Sequence, residues 1–284
     1  MLGRAYAPAH ITGFFAVRQH QNPVKAGSIG CGLCLEAGVT ATITVDTSYI
    51  GSVIRFNGKQ IDLPTVEYVI KGLLKPGHSQ VIIDLESDIP LGFGFGISGA
   101  AALASALALN TVFNLHKTVN QVASIAHCAE VVNKTGMGDV SGQCAGGIVM
   151  RIKPGAPGTG QTDTIPFSQT EVSWVCLEEV NTASVLGNGE ALNSINRVGS
   201  NALTTLLKRP GLKNFMSISR EFALRTGLIS SRALDVMEAV EARGQSAAVA
   251  MLGDTVFTLG ECSVLKEFGQ VGLSRIGISG AYCR

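Results

Sequence analysis

The stretch from Pro90 to Asn110, PLGFGFGISGAAALASALALN, sets four glycines within eight residues and then runs into small apolar residues. Glycine reaches backbone conformations that other residues avoid, at a cost in chain entropy. A chain places such a loop before a helix where something must approach the backbone closely. Most often that is phosphate, held by the free N–H groups of the helix start. The loop thus predicts a strand, a tight turn and a buried helix over about residues 98–113. The competing reading of the same glycines is close packing of helix against strand.

Two familiar phosphate loops are excluded. Gly94-Phe-Gly96-Ile-Ser-Gly99 formally matches GxGxxG, but that fingerprint needs an acidic residue about 20 positions further on. No acid occurs between Asp88 and Glu130. A Walker A loop ends in Gly-Lys-Ser/Thr, and the one Gly-Lys of the chain, Gly58-Lys59, is followed by Gln60. What remains is a glycine cradle in which Gly92, Gly94, Gly96, Ser98 and Gly99 are the candidate contacts to a polyphosphate.

The flanking segments predict a mixed α+β chain. ATITVDTSYI from Ala41 and SVIRFNGKQI from Ser52 alternate with β-branched residues, and Asn57-Gly58 is a hairpin signal. PTVEYVIKGLLKPG opens with proline and closes with Pro-Gly, a short helix with both punctuation marks, and SQVIIDLE is a buried strand. A second helix is expected over 118–133, closing near Thr135-Gly136, and then the strand GGIVMRI. KPGAPGTGQTD reads as a linker. Beyond it come the strand VSWVCLEEV, helices over about 189–207, 212–225 and 230–242, the hairpin SAAVAMLGDTVFTLG and a last strand in SRIGISGAYCR. The division falls near residue 165, giving a β-rich half, 1–165, that carries the loop, and an α+β half, 166–284.

Composition narrows the partners. Apolar residues make up 46% and charged residues 15%, against roughly 25% charged in ordinary soluble domains. Such a lean surface suits an oligomer. A formal net charge of +1 gives no electrostatic reason to expect nucleic acid or an anionic membrane. The opening MLGRAYAPAHITGFF lacks the charged segment and long apolar core of a signal peptide. Residues 91–109 are uncharged, but glycines and two serines break them up, so a buried helix is expected there rather than a membrane span. The reading is a soluble, cytoplasmic protein. Cys31-Gly-Leu-Cys34 is a lone CxxC without a second pair, and the seven cysteines read as packed thiols of a reducing compartment.

PLGFGFGISGAA resembles the second motif of the GHMP kinase superfamily, P-x-x-x-G-L-G-S-S-A-A, with Ile97 in place of the first serine and Gly99 after the second. YAPAHITGFF resembles its A-P-G-K opening, with His10 where many members carry lysine, and RIGISGA near the end is similar to its third motif. Within the superfamily, APAHITGFF, GSIGCG, GFGISGAAALASALALN, AHCAEVVNKTGMGDVSGQ, GGIVMRIKPG and SREFALRTGL are similar, in order, to the archaeal pantoate kinase family. The resemblance implies the two-domain GHMP kinase fold, a ribosomal-protein-S5-domain-2-like N-terminal part and a ferredoxin-like C-terminal part. It also implies ATP-dependent phosphorylation of pantoate to 4-phosphopantoate on the way to coenzyme A, in a homodimer. The rival expectations are another small-molecule kinase of the superfamily, acting on shikimate, homoserine or a mevalonate-like acid, and a non-catalytic sensor that binds ATP on the same fold.

A kinase must neutralise a triphosphate, hold Mg²⁺ and align a hydroxyl with the γ-phosphorus. Ser98, at the position where the superfamily contributes a hydroxyl to Mg²⁺, and Glu130, on an otherwise apolar helix, are the expected metal ligands. Asp139, in TGMGDVSGQ, which reads as a loop whose glycines let a carboxylate approach substrate, is the expected general base or orienter. Alignment with the mevalonate-type pattern G-x-x-S-G-x-D puts Cys144 where that aspartate stands, so either Asp139 acts from a shifted position or no base is used. For the substrate, Arg151 offers a guanidinium to the carboxylate. His127, three residues before Glu130 on one helical face, and Ser28 in the glycine-flanked AGSIGCG complete the expected contacts.

Overall fold

Small and β-branched residues dominate the N-terminal segment, and they form two long antiparallel strands, β1 (Leu2–Arg18) and β2 (Gly27–Val45), paired from Leu2↔Thr44 to Arg18↔Gly27. Register shifts between Pro8 and His10 and between Thr12 and Phe14 interrupt the ladder. Bulges of this kind re-aim side chains, and His10 and Thr12 lie between the two shifts. The computed structural model describes residues 2–45, 51–75, 81–178 and 189–284. The expected strand from Ala41 and those in SQVIIDLE and VSWVCLEEV each run partly into residues outside that range.

β2 is the hub of the first sheet. Its C-terminal half pairs with β5 (Val81–Glu86), and its N-terminal half pairs with β6 (Ile148–Lys153) on the same edge. β5 pairs in parallel with β3 (Val53–Phe56), which turns at Asn57-Gly58 into β4 (Lys59–Gln60). Helix α1 (Pro64–Leu73) begins at its proline as expected. α2 (Ile97–Val112) is buried along nearly its whole length and packs on β1, β2, α1 and α3 (Val119–Asn133). Thr118 caps α3, accepting from the backbone of Gln121, whose side chain accepts from the backbone N–H of Thr118. This is the capping box, which satisfies two helix-start donors at once.

Two segments differ from the sequence reading. Asp139 does not sit in a loop: it opens the seven-residue helix α4 (Asp139–Ala145). Nor is KPGAPGTGQTD a linker. It folds back so that β7 (Gln161–Ile165) pairs with β6 in the same sheet. Glycine and proline signal a turn, and they do not say whether the chain leaves the sheet after it.

From β8 (Glu171–Glu178) onward the chain builds a second, antiparallel sheet in the order β11-β8-β10-β9, with β9 (Ala247–Ala250), β10 (Asp254–Leu259) and β11 (Val271–Arg275). Helices α5 (Gly189–Lys208) and α6 (Leu212–Thr226) pack on β1, and α7 (Ser231–Glu241) packs on β9 and β10. Phe14 and Phe15 of β1 meet Phe215 and Phe222 of α6 in tilted ring pairs. The last strand, β12 (Tyr282–Cys283), returns to β1. The architecture is α+β, as expected.

Candidate active site

Gly92, Gly94 and Gly96 all have positive φ, at 89°, 82° and 60°. Gly96 is the N-cap of α2, and no side chain caps that helix. Its first N–H groups are therefore free to bind an anion, with the helix dipole behind them. The loop is held from behind: the His10 backbone N–H donates to Phe95 O (2.8 Å), Gln143 Nε2 donates to Gly96 O (2.8 Å) and Thr255 Oγ1 donates to Phe93 O (2.8 Å). The loop forms one wall of a cavity of about 330 Å³ that Ser28, Ser98, Lys134, Asp139 and Arg151 also line.

Behind this wall lies a buried carboxylate. Glu130, in the last turn of α3, accepts at Oε1 from Ser98 Oγ (2.8 Å) and Thr135 Oγ1 (2.6 Å), and its buried Oε2 has no hydrogen-bond partner among the described residues. Burial, reinforced by the charge of Asp139, pushes its carboxyl up to about 7 against the pull of those two hydroxyls. A Cβ on Gly136 would lie 2.3 Å from Glu130 Oε2 and 2.9 Å from Asp139 Oδ2, so the two carboxylates share one small space. A buried, unpartnered carboxylate oxygen beside a serine hydroxyl is a hard-oxygen donor set of the kind that Mg²⁺ takes.

Asp139 is gripped from the side. Its Oδ1 accepts from His10 Nδ1 (2.7 Å) and Thr12 Oγ1 (3.4 Å). Burial would push its carboxyl up, but the hydrogen bond from His10, with the charge of Arg151 and the Thr12 hydroxyl, holds it below the ordinary carboxylate range. Arg151, on β6 opposite Gly30 of β2, is 2% exposed, donates Nη1 to His10 Nε2 (3.5 Å) and leaves its buried Nε without a partner among the described residues. Among the described residues it makes no ion pair with any carboxylate. A buried guanidinium with no carboxylate in contact is costly unless a ligand completes it. Ser28 Oγ and Arg151 Nε lie 2.4 Å and 2.5 Å from where a Cβ on Gly138 would sit, so they converge on one point.

The structure brings Ser28, Gly92, Gly94, Gly96, Ser98, Asp139 and Arg151 to the cavity, with Glu130 just behind Ser98. It does not bring His127 there. That ring is 1% exposed, donates Nε2–H to Ala26 O (2.9 Å) and is not among the residues lining the cavity. Gly99 is not among the residues lining the cavity: a Cβ there would face Glu130 Oε2 and Gln143 Oε1, so its bare backbone lets α2 pass close beside α3 and α4. RIGISGA is also elsewhere, with Gly277 bonded to Cys34 and Ala281 to Gln143. The contact from the second sheet is Met251 and Leu252, in the β9–β10 turn. The CxxC is a pair of packed thiols, free and buried, with Cys31 pushed up to about 12 by burial. The sequence reading missed Thr12, Lys134, Thr135 and that turn, and left His10 without a role. Thr12 could have been found as the same-face neighbour of His10 on β1. The turn has no polar side chain to flag it.

Fold and cavity together define a phosphotransferase of the GHMP type, and the family "GHMP kinases N terminal domain" matches residues 64–147. A pantoate kinase of Thermococcus kodakarensis is 38% identical over 266 residues, which are 91% of this chain and 88% of that protein. A pantoate kinase of Methanocaldococcus jannaschii is 35% identical over 266 residues, 92% of this chain and 94% of that protein. Among solved structures, a phosphotransferase related to the CoA biosynthesis pathway superposes with a TM-score of 0.90 at 32% identity, covering 100% of this chain and 99% of its own. The chain belongs to the pantoate kinase family.

Proposed function

We propose that this chain transfers the γ-phosphoryl group of ATP to the 4-hydroxyl of pantoate, forming 4-phosphopantoate and ADP. One observation carries the reading: a buried guanidinium with an unpartnered Nε and a histidine-held carboxylate face one cavity, whose other wall is an uncapped helix start. The first group suits the carboxylate of a hydroxy acid, the second its hydroxyl, and the third a polyphosphate.

In this reading the N–H groups after Gly96 and the side chain of Lys134 receive the phosphates, and Arg151 with Ser28 holds the acceptor's carboxylate. Asp139 accepts the hydroxyl proton through Oδ2, or orients that hydroxyl, while Oδ1 stays occupied by His10. Phe15, Val17 and Met137 line the cavity and give the gem-dimethyl centre an apolar wall, which the sequence did not assign. Ser98 and Glu130 would hold Mg²⁺, the role for which Glu130 Oε2 is free. When bound, that ion neutralises polyphosphate charge. The same reading assigns residues 1–165 to the nucleotide and 166–284 to a C-terminal half, with β12 crossing back. It includes a homodimer and a cytoplasmic location. No helix among the described residues is long and apolar enough to cross a membrane.

Release of ADP over a panel of hydroxy acids, with and without Mg²⁺, tests the proposal. Turnover is expected with pantoate and Mg²⁺ and not with shikimate, homoserine or mevalonate. In the same assay Asp139→Asn should lose about 10²–10⁴-fold in kcat if Asp139 is the base. No turnover of pantoate by the wild-type chain would overturn the reading, and a loss under about tenfold would remove Asp139 as base.

A further inference from the structure

We propose that His10 is a positioning residue that fixes the acceptor's two recognition groups relative to each other, donating through Nδ1 to Asp139 and accepting through Nε2 from Arg151. The inference rests on the reading above, in which Asp139 serves the reacting hydroxyl and Arg151 the carboxylate.

The tautomer follows from the partners. A guanidinium has only donors, so the 3.5 Å approach of Arg151 Nη1 to His10 Nε2 is a hydrogen bond only if Nε2 carries a lone pair. The ring proton is then on Nδ1, which lies 2.7 Å from Asp139 Oδ1. The ring is neutral in this arrangement, and its burial, together with the Arg151 charge, also lowers its proton affinity against the pull of Asp139.

The pocket for the ring is built. His10 is fully buried, and a Cβ on Gly32 of β2 would lie 2.4 Å from its Nε2, while one on Gly142 of α4 would lie 2.6 Å from its Cδ2 and Nε2. The imidazole is slotted between two bare backbones and has no room to turn over. Its chemistry fits the place. A lysine there would aim an ammonium, with donors only, at a guanidinium, and a carboxylate would face Asp139. An imidazole carries a donor and an acceptor on opposite edges, so it can lie between an anion and a cation and satisfy both.

Two consequences concern the acceptor. With Nη1 given to His10, Arg151 meets a carboxylate with the Nε edge, beside Ser28. With Oδ1 given to His10 and Thr12, Asp139 meets the hydroxyl with Oδ2. One rigid ring thereby sets the separation between the two points that a hydroxy acid must span.

Two substitutions separate the halves of this role, because asparagine reaches only as far as the Nδ1 position and glutamine as far as Nε2. His10→Asn keeps a donor for Asp139 and loses the acceptor for Arg151. His10→Gln keeps that acceptor and loses the donor. In steady-state kinetics His10→Asn should raise the KM for pantoate about tenfold or more with kcat within about threefold. His10→Gln should lower kcat about tenfold or more with that KM within about threefold. Parallel changes of kcat and KM in both variants, or no change in either, overturn the role. If a variant fails to fold, ¹⁵N spectra of His10 in the wild-type chain decide: a neutral ring protonated at Nδ1 supports the role, and an imidazolium or an Nε2–H tautomer overturns it. Wild-type turnover of pantoate is the control. Its absence removes the functional reading, whereas its presence with unsplit variants removes only the part given to His10.

Discussion

Glu130 carries a carboxylate that its surroundings neutralise only in part. Two hydroxyls donate to Oε1, none of the described residues donates to Oε2, and burial lifts the group from its ordinary 4.5 to about 7. A carboxyl whose folded-state pKa is raised binds its proton more tightly in the folded than in the unfolded chain. It therefore costs stability as pH rises from about 4.5 to about 7 and imposes the full cost above that. At pH 8 the cost is on the order of 3 kcal/mol. Glu130→Gln keeps the shape and an acceptor for Ser98 and Thr135 and removes the ionisation. In EDTA the variant should melt higher than wild type at pH 8, and the gap should shrink to a small fraction of that by about pH 5. Thermal melts at both pH values check it, and a gap independent of pH would contradict it. The same variant should lose Mg²⁺-dependent turnover. The buried charge at Glu130 is thus written in the sequence as one acid on an apolar helix. The partners of His10 were not readable there, because Asp139 and Arg151 are 129 and 141 residues away along the chain.

Elements whose signals are local were legible and those held by tertiary contacts were not. α1 follows from Pro64 and α3 from Thr118, each a helix start that a few residues specify. α4 has no such signal: its seven residues include Gly142, and its hold comes from Gln143 on Gly96 and from the Cys34 thiol on Gly142 O (3.3 Å). The start of α2 was legible as a glycine turn, and its geometry makes a prediction. Gly96 lies at φ 60°, and a Cβ there would stand 3.0 Å from Asp139 Cβ and Cγ. An L-residue in that region costs about 1–2 kcal/mol, and the crowding adds to it. Gly96→Ala should lower the melting temperature by several degrees and raise the KM for ATP about tenfold or more, since the displaced N–H groups no longer point together. Calorimetry and kinetics at saturating pantoate test this, and an unchanged KM for ATP would place the phosphates away from this turn.

The two sheets are joined across the glycine loop, and the second sheet reaches the cavity at the β9–β10 turn, through Met251 and Leu252 and no charged side chain. Met251 N donates to Thr12 O (2.9 Å), Thr255 Oγ1 donates to Phe93 O, and Phe95 meets Trp174 of β8 edge-on at 5.2 Å between centroids. The tightest contact is Gly253, where a Cβ would lie 2.2 Å from Phe93 C and 2.3 Å from Gly94 N. Both atoms are backbone, so neither can swing aside, and a methyl group must drive the β9–β10 turn and the glycine loop apart. Overpacking of this kind costs about 1–3 kcal/mol. Gly253→Ala is therefore expected to raise the KM for ATP about tenfold while the KM for pantoate, set by Arg151 and Ser28 on the first sheet, moves less than about threefold. Gly211→Ala is the matched control, since a Cβ there meets nothing within 4 Å, and it should leave both constants as they are. Equal shifts in the two KM values of Gly253→Ala would mean that the second sheet shapes the whole cavity and not its nucleotide wall alone.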